Sequence, residues 1–349
     1  MKGSRGQAGA VAEAARLADE VLFPRVVATD SSELVPIDSL DALAAAGLYG
    51  IAGPRRAGGL ELDQSEGLQV IEELARGCLA TAFVWLQHHG TVRAVAAAGG
   101  ELRERLLGPL CRGEIRSGVA FAGLRRLGPP LLVASPERDE AFLLNGHLPW
   151  LTGWGAIDVA LVAARDAGGF GDVVWGVVDA REGPGLAVER LRLTAMDATA
   201  TVTAELTDLH LPGDRIVGVE PYEEWLARDA AGLRTNGSMA LGLGRRVVAL
   251  LEESGAGEPA AAFARRLDSA RDGLDRAGVR ALPAARADAV DVAVQAAMAL
   301  VVARGGRALV RGELEEILAR QAVFLLVFGQ TPAIKAAQLR RASRPSGSQ

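Results

Sequence analysis

The sequence predicts a multidomain protein of the α+β class, in which two helical blocks flank a middle block of β-strands. In the first third of the chain, apolar residues such as Leu68, Ile71 and Leu74 recur at three- and four-residue intervals, the pattern of an amphipathic helix. Short Val- and Leu-rich segments separated by Gly and Pro begin near Arg116, and helical spacing returns after Pro212. Strands grouped between two helical blocks indicate segregated domains rather than an alternating α/β sheet.

The first domain, expected over residues 1–115, is predicted to be helical. It opens with an Ala-rich stretch that has amphipathic spacing but no long apolar run of the kind a signal peptide carries. Residues 53–60 interrupt the helices, because Pro and paired Gly do not extend a helix.

The middle domain, expected over residues 116–215, is predicted to form a sheet or a small barrel. Its segments are rich in Val, Leu and Thr, which favour strands, and turn residues bound each of them. The predicted strands lie in PPLLVAS, AFLLNGHLPWLTG, IDVALVAAR, DVVWGVVDA, GLAVERLRL and TVTAELTDLHLP.

The third domain, expected over residues 216–345, is predicted to be helical again. One apolar stripe near its end has regular three- and four-residue spacing, which predicts a helix packed on its neighbours. The stripe consists of Leu314, Ile317, Leu318, Ala322 and Leu325.

Composition excludes several functional classes. A net charge of -5 and a pI near 5.6 give no basic surface for nucleic acid. None of the four histidines lies at helical i, i+4 spacing from another, so no metal site is expected. No apolar run is long enough to span a membrane, and we expect a cytoplasmic protein.

Residues 304–331 carry the most informative motif, RGGRALVRGELEEILARQAVFLLVFGQT. It resembles the C-terminal signature of the acyl-CoA dehydrogenase family, in which a Gly-Gly pair leads through an Arg-containing helix to an aromatic-Glu-Gly-Thr turn. Aligning Gly305 and Gly306 with the Gly-Gly pair places Arg320 and Thr331 on the matching Arg and Thr without a gap. The catalytic Glu of the family then falls on Gly329.

The resemblance implies the family's layout: an N-terminal helical domain, a middle β domain and a C-terminal four-helix bundle, with a flavin and a thioester between them. Trp150-Leu151-Thr152-Gly153 is similar to the family strand beside the flavin ring, since an aromatic face and a hydroxyl suit an isoalloxazine. The cofactor is expected to be FAD, with FMN open, and its binding to be weak or shared between subunits. The cofactor-binding residues implied are Trp150, Thr152, Ala122, Gly123, Gly305, Gly306 and Thr331.

Two flavin-side segments depart from the family pattern. The family's Thr-Glu-Pro-Xaa-Ala-Gly-Ser-Asp segment reads FAGLRRLGP here, without its side-chain donors. Arg125 and Arg126 within it have two interpretations, phosphate contact or surface charge, and the second is favoured. Before the helix near Ala262 the chain reads EESGAGEP instead of the family's Arg-Xaa-Xaa-Phe-Gly loop, which shortens the third domain. Replacement arginines for that loop stay open among Arg245, Arg246, Arg265 and Arg266.

The catalytic base is unknown from the sequence. Gly329 cannot abstract an α-proton, and the alternative family position of the Glu falls near Gly232, also without a carboxylate. Asp229 is one candidate for the base, since it is the nearest carboxylate. The preferred interpretation, however, is that Asp229 is an exposed acid in the first turn of a helix, where the helix dipole favours it. His89 is the other weak candidate. It shares a helical face with Trp85 that could point to a ligand, although capped or solvated histidines are commoner.

These residues support a flavin-dependent oxidoreductase that acts on an acyl thioester or a related small molecule. One alternative is a non-catalytic subunit of a heteromeric acyl-CoA dehydrogenase, favoured by the joint loss of three motifs. Another is a flavin monooxygenase or oxidase on the same fold, which needs no α-proton base. The expected partners are the small-molecule substrate and further subunits of the same kind, with no nucleic acid or membrane.

Overall fold

The computed structural model describes residues 7–168 and 171–343 of the chain. The outermost residues of the first and third expected domains, and the two residues 169–170 within a loop of the middle block, lie outside that range. The elements follow the predicted order of helices, strands and helices.

The N-terminal block is helical throughout, with short π and 3-10 turns joining its helices. Helix α4 begins with a capping box between Asp63 and Glu66, which satisfies backbone donors of its first turn. The helices are α1 Gln7–Leu17, α2 Val26–Asp30, α3 Ile37–Ala45, α4 Gln64–Gly77, α5 Leu79–Ala97 and α6 Gly100–Arg112.

The middle block is one sheet of eight strands in the order β6-β7-β3-β2-β4-β5-β8, with β1 paired to β4. All six predicted segments form strands, whereas the two short strands β1 and β8 were not predicted. Strand β8 pairs with β5, so the sheet extends to Glu220 rather than ending at 215. The strands are β1 Ser117–Ala120, β2 Leu132–Pro136, β3 Phe142–Leu151, β4 Val159–Asp166, β5 Val173–Asp179, β6 Leu186–Arg190, β7 Val202–Leu211 and β8 Ile216–Glu220.

The C-terminal block returns to helices, of which α8 to α11 pack against one another. The predicted apolar stripe lies on α11, and Ile317, Leu318, Ala322 and Leu325 are buried. The helices are α7 Tyr222–Ala231, α8 Leu233–Glu253, α9 Gly257–Arg276, α10 Leu282–Arg304, α11 Leu314–Val327 and α12 Pro332–Ala342.

The two helical blocks share one hydrophobic core, in which Leu74 of α4 and Leu243 of α8 are both buried. Where these helices cross, a Cβ on Gly242 would stand 2.3 Å from the carbonyl oxygen of Glu72. The Gly-Leu-Gly run at Gly242 therefore serves close helix packing and has no relation to a dinucleotide-binding turn.

The stretch Leu282–Leu309, comprising α10 and the turn after it, is long and apolar enough to cross a membrane, judged by length and composition alone. Of its most apolar segment, 39% is buried inside the protein. It packs against α8, α9, α11 and α12 within the C-terminal block. Its remaining apolar surface includes Met298 and Val302, which are exposed. That surface adjoins exposed Leu309 and Val310, so the bundle has an uncovered apolar side.

Candidate functional site

A cavity of about 750 Å³ lies where the three blocks meet. One wall is the face of α5 from Phe83 to Arg93, and the opposite wall is the end of α11 with the turn that follows it. The segment after β1, the end of β3 and the junction of α7 with α8 close the sides. This volume is within the range of small-molecule and cofactor sites.

The apolar floor of the cavity is an aromatic cluster. Phe83 lies 5.1 Å from Phe324 and 4.9 Å from Phe328, both edge to face, and the last two rings stack at 5.5 Å. Aromatic pairs in these geometries hold their rings in place. The cluster gives the cavity a rigid surface suited to an alkyl chain.

Trp150 and Thr152, two of the predicted flavin-side residues, both lie in the cavity wall. The Trp150 side chain is 50% exposed, so a large aromatic face is open to a ligand. The Thr152 hydroxyl lies 3.1 Å from the Thr201 hydroxyl, which lies 2.9 Å from that of Thr199, and Thr199 donates to the carbonyl of Met196. A chain of three hydroxyls therefore holds Thr152 in the cavity wall.

Of the remaining predicted cofactor residues, two line a pocket and three do not. Ala122 lines the main cavity, and Gly123 lines an adjoining pocket of about 220 Å³. Gly305 and Gly306 are exposed at the end of α10 and lie in neither pocket. Thr331 caps α12 by accepting a hydrogen bond from the Ile334 amide, and it also lies outside both. The structure therefore brings together the residues suited to a flavin ring, while these three face elsewhere.

None of the candidate replacement arginines lines the cavity. Arg245 pairs with Asp268 at 2.9 Å, and Arg266 donates to Gln295 at 2.9 Å. Arg246 is buried and pairs with Asp19 at 2.6 Å, which ties α8 to the N-terminal block. At least Arg246 is thus structural.

Gly329 lies in the turn after α11 with φ of +53° and lines the cavity. The buried guanidinium of Arg286 donates from Nη1 to the Gly329 carbonyl at 3.0 Å and from Nη2 to the Phe328 carbonyl. Arg286 was not among the predicted site residues, because nothing in the sequence around it marks this residue of α10 as one that binds a turn. A positive φ combined with this clamp suits glycine at position 329.

Asp229 lies in the last turns of α7, not the first, and it lines the cavity as a partly buried side chain. Nε and Nη2 of Arg125 donate to its two carboxylate oxygens at 2.8 and 2.5 Å. The preferred interpretations of both residues, as exposed surface charges, were therefore wrong. Since Asp229 is held bidentately, it is not a free base.

His89 is wrong as a ligand-facing residue, because it is buried, does not line the cavity and packs edge to face on Trp85 with the ring centroids 4.3 Å apart. Trp85 donates to the carbonyl of Leu48, so their shared face points into the core. His88 accepts from the Ser117 amide at Nδ1 and donates from Nε2 to the Leu110 carbonyl. Burial lowers the pKa of His88 to about 3, so its ring is neutral and structural.

The charge of the cavity is positive. Its charged lining within the described residues consists of Arg93, Arg125, Arg126 and the single carboxylate Asp229. In the same part of the chain, no group of three or more His, Cys, Asp or Glu side chains is arranged to hold a metal. The cavity therefore favours anionic ligands.

Residues 6–114 match the model of the acyl-CoA dehydrogenase N-terminal domain. A 3-sulfinopropanoyl-CoA desulfinase of Paraburkholderia xenovorans (strain LB400) is 26% identical over 269 residues, which are 72% of this chain. The match covers 66% of that protein, just under two thirds of its length.

Solved structures of the same fold cover nearly the whole chain. A butyryl-CoA dehydrogenase from Megasphaera elsdenii superposes with a TM-score of 0.83 at 18% identity, over 98% of this chain and 99% of that one. The structure described as PigA with FAD and proline superposes with a TM-score of 0.81 at 19% identity, over 97% of this chain and 98% of that one. These similarities establish the fold.

Proposed function

Because this chain is a protein of the acyl-CoA dehydrogenase family, we propose that it is a flavin-dependent enzyme that acts on an acyl thioester in the cavity between its three blocks. The observation that carries the proposal is the cavity itself, where an exposed Trp150 face and a wall of aromatic rings meet. Fold alone does not establish an activity.

The residues present fit a flavin ring. Trp150 offers a flat apolar wall, the Thr152 hydroxyl can donate or accept a hydrogen bond, and Ala122 lines the same cavity. When bound, the flavin supplies an acceptor for two electrons. We propose FAD, with its diphosphate reaching the exposed Gly305 and Gly306 where a second subunit covers the apolar side of the bundle.

Residues of the chain itself would exclude water and bind phosphate groups. Phe83, Phe324 and Phe328 exclude water from the acyl chain, and Arg93 and Arg126 offer charge to phosphate groups nearer solvent. No residue at the 329 turn takes a proton, because Gly329 has no side chain and Asp229 is held by Arg125.

This arrangement favours a second candidate reaction within the same family. The desulfinase relative is named for removing a sulfinate from an acyl-CoA, and cleavage of that bond does not require a carboxylate beside the α-carbon. As the alternative to dehydrogenation, we propose hydrolytic cleavage of a sulfinate substituent, supported by Gly329 in the place of the family's Glu. The C–S bond breaks, water supplies the third oxygen of the released sulfite, and a proton from water replaces the sulfur on carbon. We also propose that the protein is cytoplasmic.

Two measurements test the function. Protein purified alone should show the visible absorbance of oxidised flavin, and acyl-CoA thioesters should perturb or bleach that absorbance under anaerobic conditions. Trp150→Ala should release flavin on gel filtration, whereas Trp150→Phe keeps an aromatic face and should retain it. Colourless protein that binds neither added FAD nor any acyl-CoA would instead support a non-catalytic subunit.

A further inference from the structure

Arg286 is a buried cation without an acidic partner among the residues that the structure describes. Its side chain is 1% exposed, two backbone carbonyls accept its Nη protons, and its Nε has no acceptor. Burial and the neighbouring charge of Arg125 lower the pKa of Arg286 to about 10. An isolated buried charge is unfavourable unless something compensates it.

Arg125 adds a second positive charge near the Gly329 turn and, unlike Arg286, it lines the cavity. Asp229 takes up Nε and Nη2, which orients the guanidinium plane and leaves Nη1 without a partner in the described chain. Counting Arg125, Arg286 and Asp229 together, this end carries one net positive charge.

The Cβ position of Gly329 lies close to two hydrogen-bond donors. A Cβ there would stand 3.0 Å from Nδ2 of Asn236 and 3.8 Å from Nη1 of Arg125. Asn236 lines the cavity, and no described residue bonds to its side chain. Both nitrogens therefore lie at the same end of the cavity, beside Gly329, and neither has a hydrogen-bond partner among the described residues.

We propose that this cationic end, formed by Arg125, Asn236, Arg286 and Gly329, binds an acidic group on the acyl chain of the substrate, so that the protein selects acid-bearing acyl thioesters over neutral ones. The inference rests on the proposed function and names its substrate class. A carboxylate or a sulfinate would accept from Arg125 Nη1 and Asn236 Nδ2 together, and its charge would compensate Arg286.

The depth of the cluster favours a small acid over a diphosphate. The side chains of Arg125 and Asp229 are only 15% and 12% exposed, so this end of the cavity presents few polar atoms and suits a small acidic group. Arg93 and Arg126 are exposed and remain available for phosphate oxygens nearer solvent. The aromatic floor next to Gly329 accepts the methylene groups that lead to the acid.

Calorimetry with matched thioesters tests the proposal. The protein, with FAD in excess, is titrated with succinyl-CoA against butyryl-CoA and with glutaryl-CoA against pentanoyl-CoA, so that each pair has equal chain length. We expect the acid of at least one pair to bind roughly tenfold or more tightly, as for a charge-assisted hydrogen bond. The double variant Arg125→Gln/Asp229→Asn, which removes the pair without stranding either charge, should abolish the preference.

Asn236→Ala provides a second variant if the double variant fails to fold, and it should reduce the same preference. The matched control is Arg105→Gln/Asp214→Asn, another Arg–Asp pair (2.9 Å) that lies outside the cavity and should leave the preference intact. Equal affinities within each pair would overturn the inference while leaving the proposed function standing, as would a preference that survives both cavity variants. If no thioester binds at all, the proposed function fails and the inference fails with it.

Discussion

The guanidinium of Arg286 donates a 3.0 Å hydrogen bond to the carbonyl oxygen of Gly329. A residue of α10 thereby fixes the turn after α11 that borders the cavity. A second nitrogen of the same guanidinium donates to the Phe328 carbonyl, so Arg286 holds the turn through two hydrogen bonds. The position of the turn consequently depends on the fork geometry of arginine as well as on its charge.

Arg286→Lys should lower the free energy of unfolding by about 1–3 kcal/mol, because one ammonium cannot reach both carbonyls and one stays buried without a donor. Urea unfolding measures the change. Arg304→Lys on the same helix is the control, since its ion pairs lie at the surface, and it should change stability by less than about 0.5 kcal/mol. Equal effects of the two variants would contradict the clamp.

Gly329→Glu should not create an efficient dehydrogenase. The new carboxylate would meet Arg125 and Asn236 and be held as an ion pair, and the positive φ would cost roughly 1–2 kcal/mol of stability. The rate of anaerobic flavin reduction by butyryl-CoA should stay within about threefold of the matched Gly329→Gln variant, a rate ratio worth less than the ~1.4 kcal/mol of a tenfold change. A large gain over Gly329→Gln would show that the glutamate is free to act as a base.

Stability should fall as the solution is acidified from pH 6.5 toward pH 3, because His88 binds a proton in the unfolded chain near its ordinary pKa of 6.5 but in the folded chain only near 3. The contribution lost by pH 5 is about 2 kcal/mol. Buried His89, whose pKa is also lowered by burial, acts in the same direction. Urea unfolding at pH 5 and pH 7.5 should therefore show a smaller pH difference in His88→Gln than in the unmodified protein; an unchanged difference would contradict the prediction.

Gly242→Ala should destabilise the protein by roughly 1–3 kcal/mol, because its Cβ would stand 2.3 Å from the Glu72 carbonyl oxygen and push α8 away from α4. Gly67→Ala on α4 is the matched control. Its Cβ would meet no atom within 4 Å, so the higher helix propensity of alanine should raise stability by about 0.5–1 kcal/mol. Thermal unfolding of both variants distinguishes helix contact from helix propensity.

Local patterns were sufficient to predict the order of helices and strands. The stripe on α11 and the six predicted strands are repetitive features within single segments. Strand β1 was missed because it has only four residues, too few for an alternation to stand out. Strand β8 was missed because none of its five residues is fully buried, so it carries no clear apolar pattern.

The candidate site was harder to predict, because its contacts join distant parts of the chain. Arg125 is 104 residues from Asp229, and Arg286 is 43 residues from Gly329. Sequence spacing cannot indicate such pairs, so Arg125 and Asp229 were interpreted as surface charges. Asn236 and Arg286 lacked any local signal, whereas a contiguous motif indicated Trp150 and Thr152, which line the cavity.

The shared core of the two helical blocks has a consequence for synthesis on the ribosome. Leu74 of α4 packs in the same core as Leu243 of α8, and the entire sheet is translated between them. The N-terminal helices therefore leave the exit tunnel long before their packing surface exists. We expect them to stay loosely folded and to need protection from chaperones until α8 emerges.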